Sequence, residues 1–417
     1  MRWTELARKA AKSFLKKRGC VSFGTVEDDS NLGTFEKCWL EERLAEFFSR
    51  PRIKNNDLVI STHGRSFWIL DDVSPLRQLA PSAAAGAAHL FTPAAAPLFG
   101  GFGGGGAMGQ NPPRGVLFYY WLRGEPGDKE EVTLEILDSA GKLVRKLSNK
   151  EDENATAGAG GGDDDDGPGG GGTPKLPVRA GLNRFAWNFR YPDASRFPGL
   201  IMWGGSTSGP EAVPGSYQAK LTAGGQTQTV TFEIQGDPRL SLAQTGYQQR
   251  FDLLLSINTK VSETHDAIVR IRDVREQVKG VADRAKSATK DTTITAAAKT
   301  LNEKLTKIEE ALYQTKNQSS QDPLNYPIRL NNKLAALTGV VESATAPPTT
   351  QSFTVYQDIA GKIDAELGKL RSLIADDLAA FNRLVRDQSV PAVVVREKPA
   401  GKRAPAPDGK ESDRDEQ

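Results

Sequence analysis

At 417 residues the chain is long enough for two or three domains, each able to bury its own core. Its 54 basic and 52 acidic residues nearly cancel to a net charge of +2, so nothing global argues for nucleic acid or an anionic membrane. No apolar run reaches the roughly 18 residues of a transmembrane helix.

Residues 1–47 carry no repeat pattern. Within them Trp3, Leu6, Ala7, Ala10, Phe14 and Leu15 share one helical face, with Arg8, Lys9, Lys12, Lys16 and Lys17 around it. A basic amphipathic helix of this kind suits an anionic membrane or a targeting peptide, but the reading adopted is an ordinary surface helix. The stretch lacks the continuous apolar core of a secretory signal. Cys20 and Cys38 have no CxxC spacing and no neighbouring histidine, which argues against zinc and for two incidental thiols, with a disulfide as the alternative.

Residues 48–80 hold the most informative segment. Asp57-Leu58-Val59-Ile60-Ser61-Thr62 and Ser66-Phe67-Trp68-Ile69-Leu70 are β-rich runs around the turn His63-Gly64-Arg65, closed by Asp71-Asp72. They read as a hairpin from a β-propeller blade. A blade takes roughly 40–45 residues and a closed propeller needs at least about four, so the preceding residues cannot supply the remainder. The chain looks like the tail end of something larger. Residues 81–114, rich in Ala, Gly and Pro, are expected to be a linker or strapping loop with too few large apolar residues to anchor a core. His89 within it is expected to pack or face water.

Residues 115–237 switch to an all-β pattern. Val116–Leu122 reads as a buried strand, and Val132–Leu137 alternates and turns through Asp138-Ser139-Ala140-Gly141 into Lys142–Leu147. Leu182–Phe189 alternates again, and Gly215–Leu221 pairs with Thr229–Ile234 across Ala223-Gly224-Gly225. Six or seven short strands over this length fit an Ig- or fibronectin-like β-sandwich. An insertion at 150–175 contains Asp163 to Asp166 among glycines; four adjacent carboxylates without alternating spacing are read as a solvated, disordered stretch rather than a calcium site.

From residue 243 to 390 the period becomes 3.6. Apolar stripes run through Leu254, Ile257, Val261, Ile268, Ile271, Val278 and Val281, and then through Ala297, Leu301, Leu305, Ile308 and Leu312. A shorter stripe follows in Ile328, Leu330, Leu334, Leu337 and Val341. The last runs from Val355 through Ile359, Ile363, Leu367, Leu370, Ile374, Leu378 and Phe381 to Leu384. A bundle of three long helices and a short one is expected. His265, on the inner seam without a second histidine or Glu-x-x-His, is expected to be packed rather than a metal ligand. Residues 391–417 are Pro- and charge-rich and expected to be disordered.

Several of these pieces together carry a resemblance: Thr62-His63-Gly64-Arg65 with Trp68-Ile69-Leu70-Asp71-Asp72, Ser74-Pro75-Leu76-Arg77, Gly181-Leu182-Asn183-Arg184-Phe185-Ala186-Trp187, and Tyr326-Pro327-Ile328-Arg329-Leu330-Asn331-Asn332-Lys333-Leu334. Over residues 52–390 the chain resembles the C-terminal region of bacterial BNR-repeat proteins of the sortilin-like β-propeller group, often labelled glycosyl hydrolases. Ser61–Trp68 is similar to their aspartate box, with His63 at the Asp position, a device that stabilises a hairpin rather than a catalytic one. The family's catalytic status does not carry over, because the blades that would hold the acids are missing. Its relatives look secreted or periplasmic.

Glycoside hydrolysis needs two carboxyls about 5–10 Å apart across a cleft. Asp71 and Asp72 point to opposite faces of a strand and read as caps. No nucleophile elbow, phosphate loop or dinucleotide fingerprint accompanies the histidines at 63, 89 and 265. No catalytic, cofactor-binding or metal-ligating residue is therefore assigned. The expected function is a non-catalytic interaction or assembly module, the hairpin's open edges favouring a second polypeptide chain. The alternative is a glycosyl hydrolase-related or carbohydrate-binding protein that stacks sugars on Trp121, Trp187 or Trp203, of which Trp203, in a Gly-rich loop, is the freest.

Overall fold

The computed structural model describes residues 57–61, 67–70, 72–80, 86–98, 113–150, 174–288 and 292–390. The expected N-terminal helix, Cys20, Cys38, the turn at His63, Asp71, the carboxylates Asp163 to Asp166 and the tail beyond residue 390 lie outside them. The chain is mixed, with β-sheets followed by a C-terminal helical region. Among the described residues no helix is long and apolar enough to cross a membrane.

β1 (Leu58–Ser61) and β2 (Phe67–Leu70) pair antiparallel, Leu58 opposite Leu70 and Ser61 opposite Phe67, as a sheet of their own. Asp72 follows in the left-handed region at φ 53; its carboxylate accepts the Ser74 N–H (3.0 Å), and Asp57 accepts the Asp72 N–H (3.0 Å). Those bonds close the hairpin and start α1 (Ser74–Arg77).

The stretch expected to be a linker supplies strands instead. β3 (Ala88–Leu90) adds to the edge of β5 (Val116–Leu122), and β4 (Ala96–Pro97) pairs parallel with β10 (Gln226–Gln235). Leu90, Phe91, Ala96 and Leu98 are buried, so a few well-placed side chains anchor what composition alone does not. Hydrogen bonds from Thr92 N–H to the Gln78 side chain and back (2.8 Å each) hold this stretch to the end of α1.

With β6 (Thr133–Leu137), β7 (Leu143–Ser148), β8 (Gly181–Trp187) and β9 (Gly215–Ala223), the strands form two sheets, β4-β10-β9-β6-β7 and β3-β5-β8. The inner faces of both enter one core, where Phe118, Tyr120, Leu134, Ile136, Trp187, Tyr217, Leu221 and Phe232 meet. Trp187 and Phe232 stack edge to face at 6.4 Å. Fully burying aromatics of this size removes enough apolar surface from water to contribute roughly 2–3 kcal/mol each. The two-residue turn Gly224-Gly225, at φ 56 and 71, joins β9 to β10 in the conformation only glycine adopts without strain.

β5 differs in detail from the sequence reading, while β8 keeps the expected alternation. β5 is buried on one face only: Val116, Phe118, Tyr120 and Leu122 point inward, while Leu117, Tyr119 and Trp121 lie half-buried on the other side. In β8 the inward positions are Asn183, Phe185 and Trp187, and Leu182 is exposed. Asn183 is tolerated inside because its amide bonds the Arg179 N–H and the Arg179 and Gly181 carbonyls.

The helices are α2 (Gln244–Ala288), α3 (Thr293–Leu312), α4 (Leu330–Glu342), α5 (Thr350–Leu373) and α6 (Ala379–Asp387). A π-turn at Ile374–Leu378 interrupts the last predicted helix. The buried stripe follows the expected positions in α2 as far as Val278 and in α3 from Leu301 to Leu312, whereas Val281 and Ala297 are half-buried and Ala298 is buried in place of Ala297; Val355 of α5 is exposed and Ser352 is buried instead.

The chain forms two compact units, and their division does not follow residue 243. One comprises the described residues up to Asp266 with Lys316–Lys362; the other comprises Ala267–Thr315 and the residues from Ile363. In the second unit Glu309 of α3, nearly inaccessible, is paired at 2.8 Å with both Arg272 and Arg275 of α2. Two guanidinium groups at this distance offset the cost of burying a carboxyl side chain.

Candidate functional site

The first unit's most elaborate feature is an arm between β8 and β9 that the strand pattern does not announce. It leaves the sheet at Phe189, in the left-handed region at φ 66. Phe189–Ala194 then runs antiparallel to Thr207–Ala212 through the bonds Ala212 N–H to Phe189 O (2.7 Å), Tyr191 N–H to Pro210 O (2.9 Å) and Ala194 N–H to Thr207 O (2.7 Å). Gly209 is required here, because a Cβ on it would lie 2.2 Å from the Tyr191 carbonyl oxygen.

At the base of the arm sits Glu211. Its carboxylate meets Arg114 at 2.7 Å, Arg190 at 3.6 Å and Arg250 of α2 at 3.8 Å. Arg190 also makes a two-pronged pair with Glu342 of α4 (2.8 and 3.3 Å) and donates to the Gly209 carbonyl (2.7 Å). Arg145 donates to the Tyr191 carbonyl at 3.0 Å, and the Trp187 indole donates to the Arg190 carbonyl at 2.9 Å. Burial pushes the Glu211 carboxyl up, but its bond to Arg114 and the charges of Arg114, Arg190 and Arg250 outweigh that and hold it below the ordinary carboxylate value. Burial likewise opposes the Arg190 charge, and Glu342, Glu211 and Asp193 more than restore it. Planar forks meeting carboxylates in this manner fix direction as well as distance.

The tip of the arm carries Trp203, 45% exposed. Its position is fixed by one buried side chain: Asn332 of α4 accepts the Trp203 N–H at 2.8 Å and donates to the Trp203 carbonyl at 2.9 Å. The Ser206 N–H donates to the Ala335 carbonyl at 3.2 Å. Gly205 lets the chain approach, since a Cβ there would come within 3.0 Å of the Asn332 amide nitrogen and 3.1 Å of the Ala335 methyl. One residue earlier on α4, Asn331 reaches His265 of α2, whose other ring nitrogen faces the Ser195 carbonyl. Phe197 closes against that ring edge to face at 5.1 Å. An aromatic side chain is thus presented to solvent on a loop whose main chain is pinned.

The residues singled out from sequence are scattered rather than gathered. His89 of β3 lies opposite Trp121 in register and packs edge-on against Phe91 at 4.8 Å. Trp187 is core, Trp121 is half-buried, and Trp203 alone of the three candidate stacking residues is exposed. Asp72 caps the turn after the hairpin. Glu211 and its three arginines carry no spacing signal; Asn331 and Asn332 stand in a motif already quoted, but their roles exist only once α4 meets the arm.

In the second unit an open groove of about 680 Å³ between α2 and α3 is lined by Lys279, Lys299 and Lys307 together with Glu303 and Glu310, so its charge is interleaved. Among the described residues no group of three His, Cys, Asp or Glu could hold a metal ion. No protein-family model matches this chain, and no curated protein matches it at significance.

Proposed function

We propose that the chain is an interaction or assembly module rather than a catalyst, the C-terminal part of a sortilin-like, BNR-repeat propeller protein. The observation that carries this is the β1–β2 sheet, two strands of four residues that pair with each other and with no other strand among the described residues. An edge of this kind is a template for a strand from another polypeptide. The buried His265 and the half-buried Glu211, Arg190 and Glu342 support the same reading, since each is committed to joining the arm to α2 or α4. The two sheets are read as an Ig-like sandwich. Supporting that reading, the Tyr217 hydroxyl at the start of β9 donates back to the Val213 carbonyl at 2.9 Å, as in a tyrosine corner, beside the buried Trp187.

The test is amide hydrogen exchange of Leu58–Ser61 and Phe67–Leu70, alone and with a polypeptide carrying propeller blades. Outward-facing amides exchange freely in the isolated chain and slow when the blades are added. Full protection of all these amides in the isolated, monomeric chain would show the edges already covered and defeat the proposal.

One observation favours a second reading, carbohydrate binding: Trp203 is exposed on a loop whose main chain is pinned, and an aromatic face held still suits the apolar face of a sugar ring. Quenching of tryptophan emission by a glycan panel, lost in Trp203→Ala, supports it. A panel without quenching, or with equal quenching in the variant, refutes it. Trp203→Ala itself leaves stability within about 0.5–1 kcal/mol, because the side chain is half exposed.

A further inference from the structure

His265 is completely buried on α2, and both of its ring nitrogens are engaged. Nδ1 faces the Ser195 carbonyl at 2.5 Å; a carbonyl only accepts, so Nδ1 carries the proton. Nε2 then holds a lone pair and accepts from the Asn331 amide nitrogen at 3.2 Å. Asn331 is itself 1% exposed, and its Oδ1 is buried without a hydrogen-bond partner. The charged groups facing the ring are Arg196 from the arm and Asp266 from its own helix; from α4 the facing group is the neutral Asn331.

We propose that His265 is an acid-operated latch for the arm: neutral, it ties Ser195 to Asn331 and keeps the Trp203 tip clamped on α4, and a proton taken from solvent onto Nε2 releases it. Once Nε2 bears hydrogen, it and the Asn331 NH₂ are two donors face to face, and the contact turns from attractive to repulsive. Asn331 and Asn332 are consecutive on one helix, so a displacement of the first shifts the second, which alone holds both polar groups of the Trp203 backbone. The shift in the ring's proton affinity agrees with this direction. Burial, the largest influence, and Arg196 lower it, while the Ser195 bond and Asp266 raise it, and the net result lies below the ordinary 6.5. The closed state therefore binds the proton less well than the open state. The clamp is at full strength above about pH 6.5 and weakens as pH falls from there through the folded-state value.

The experiment is hydrogen exchange at the Trp203 and Ser206 amides in the full chain between about pH 7.5 and 5, corrected for intrinsic exchange, with Ala219 and Val230 of the β9–β10 hairpin as internal controls. Expected is a loss of protection at the arm that begins near pH 6.5, reaches at most about tenfold per pH unit and ends at the folded-state titration of His265, the controls unchanged. The pH dependence persists in His89→Gln and disappears in His265→Gln. Should His265→Gln fail to fold, the wild-type chain decides alone: the loss of Trp203 protection must level off at the pH where the NMR titration places the His265 ring midpoint. Flat protection across the range would overturn the latch, since it means Asn331 turns its free Oδ1 to accept from the protonated ring and absorbs the change. A loss of protection that does not level off at the His265 ring midpoint, or equal pH dependence in a folded His265→Gln, would overturn it as well.

Discussion

Glutamine at position 211 keeps the shape of the side chain and deletes one charge from a cluster holding three guanidinium groups. Coulomb energy varies inversely with distance, so contacts of 2.7, 3.6 and 3.8 Å differ only about 1.4-fold at one dielectric constant. Exposure separates them more sharply. The Arg114 side chain is 37% exposed and screened by water, whereas Arg190 and Arg250 are 21% and 11% exposed and Glu211 itself 11%. Removing one member of a pair this buried leaves uncompensated charge and costs about 3–5 kcal/mol; Glu342 still neutralises Arg190, which places Glu211→Gln near about 3 kcal/mol. The pH dependence adds a second signature. The Glu211 carboxyl lies below its ordinary value of 4.5, so its stabilisation is complete above that pH and is lost as pH falls through the folded-state value. Urea unfolding of both proteins, followed by tryptophan fluorescence from about pH 7 to pH 3, should show a gap that is widest near neutrality and closes in acid, where the wild-type carboxylate protonates. A gap under about 1 kcal/mol at pH 7, or one of constant size at every pH, would refute the assignment of Glu211 as the arm's electrostatic anchor.

Asn332→Ala removes both bonds to Trp203, each worth about 1–1.5 kcal/mol net; exchange at the Trp203 amide should accelerate by about 30- to 150-fold, while the β9–β10 hairpin is unaffected. Gly115→Ala combines a backbone φ of 132° with a Cβ placed 2.0 Å from the Trp187 carbonyl oxygen, and thermal unfolding should report a loss of about 2–4 kcal/mol.

Much of the sheet and most of the helical pattern were legible because they obey one period over several residues. β6, β9 and β10 alternate, Gly224-Gly225 announces the hairpin, and α2 and α3 keep their apolar stripe over many turns. β3 and β4 were not legible, since Ala-His-Leu and Ala-Pro are too short and too small to show a period and gain their place only by completing sheets formed elsewhere. The half-buried place of Trp121 was not legible because a run apolar on both faces does not say which face will be covered. The arm was illegible for a different reason. Its prolines and glycines suppress local pattern, and what orders it are partners far along the chain, 129 residues away for the Trp203–Asn332 pair and 152 for Arg190–Glu342. The motif containing Asn331 and Asn332 marked the place without revealing that it is a clamp.

Those long separations also set an order of events during synthesis. Phe189–Ala212 leaves the ribosome well before Leu330–Glu342 exists, and at about 5–20 residues per second the interval is several seconds or more, far longer than a hairpin takes to form. The core of the sheets can close in that time and α2 can take hold of the arm through Arg250 and His265, but its Trp203 end waits untethered and Arg190 lacks Glu342. A nascent chain halted before α4 would hold the base of the arm but leave its Trp203 tip loose, and the translation of thirteen helical residues is what turns the tip into a fixed part.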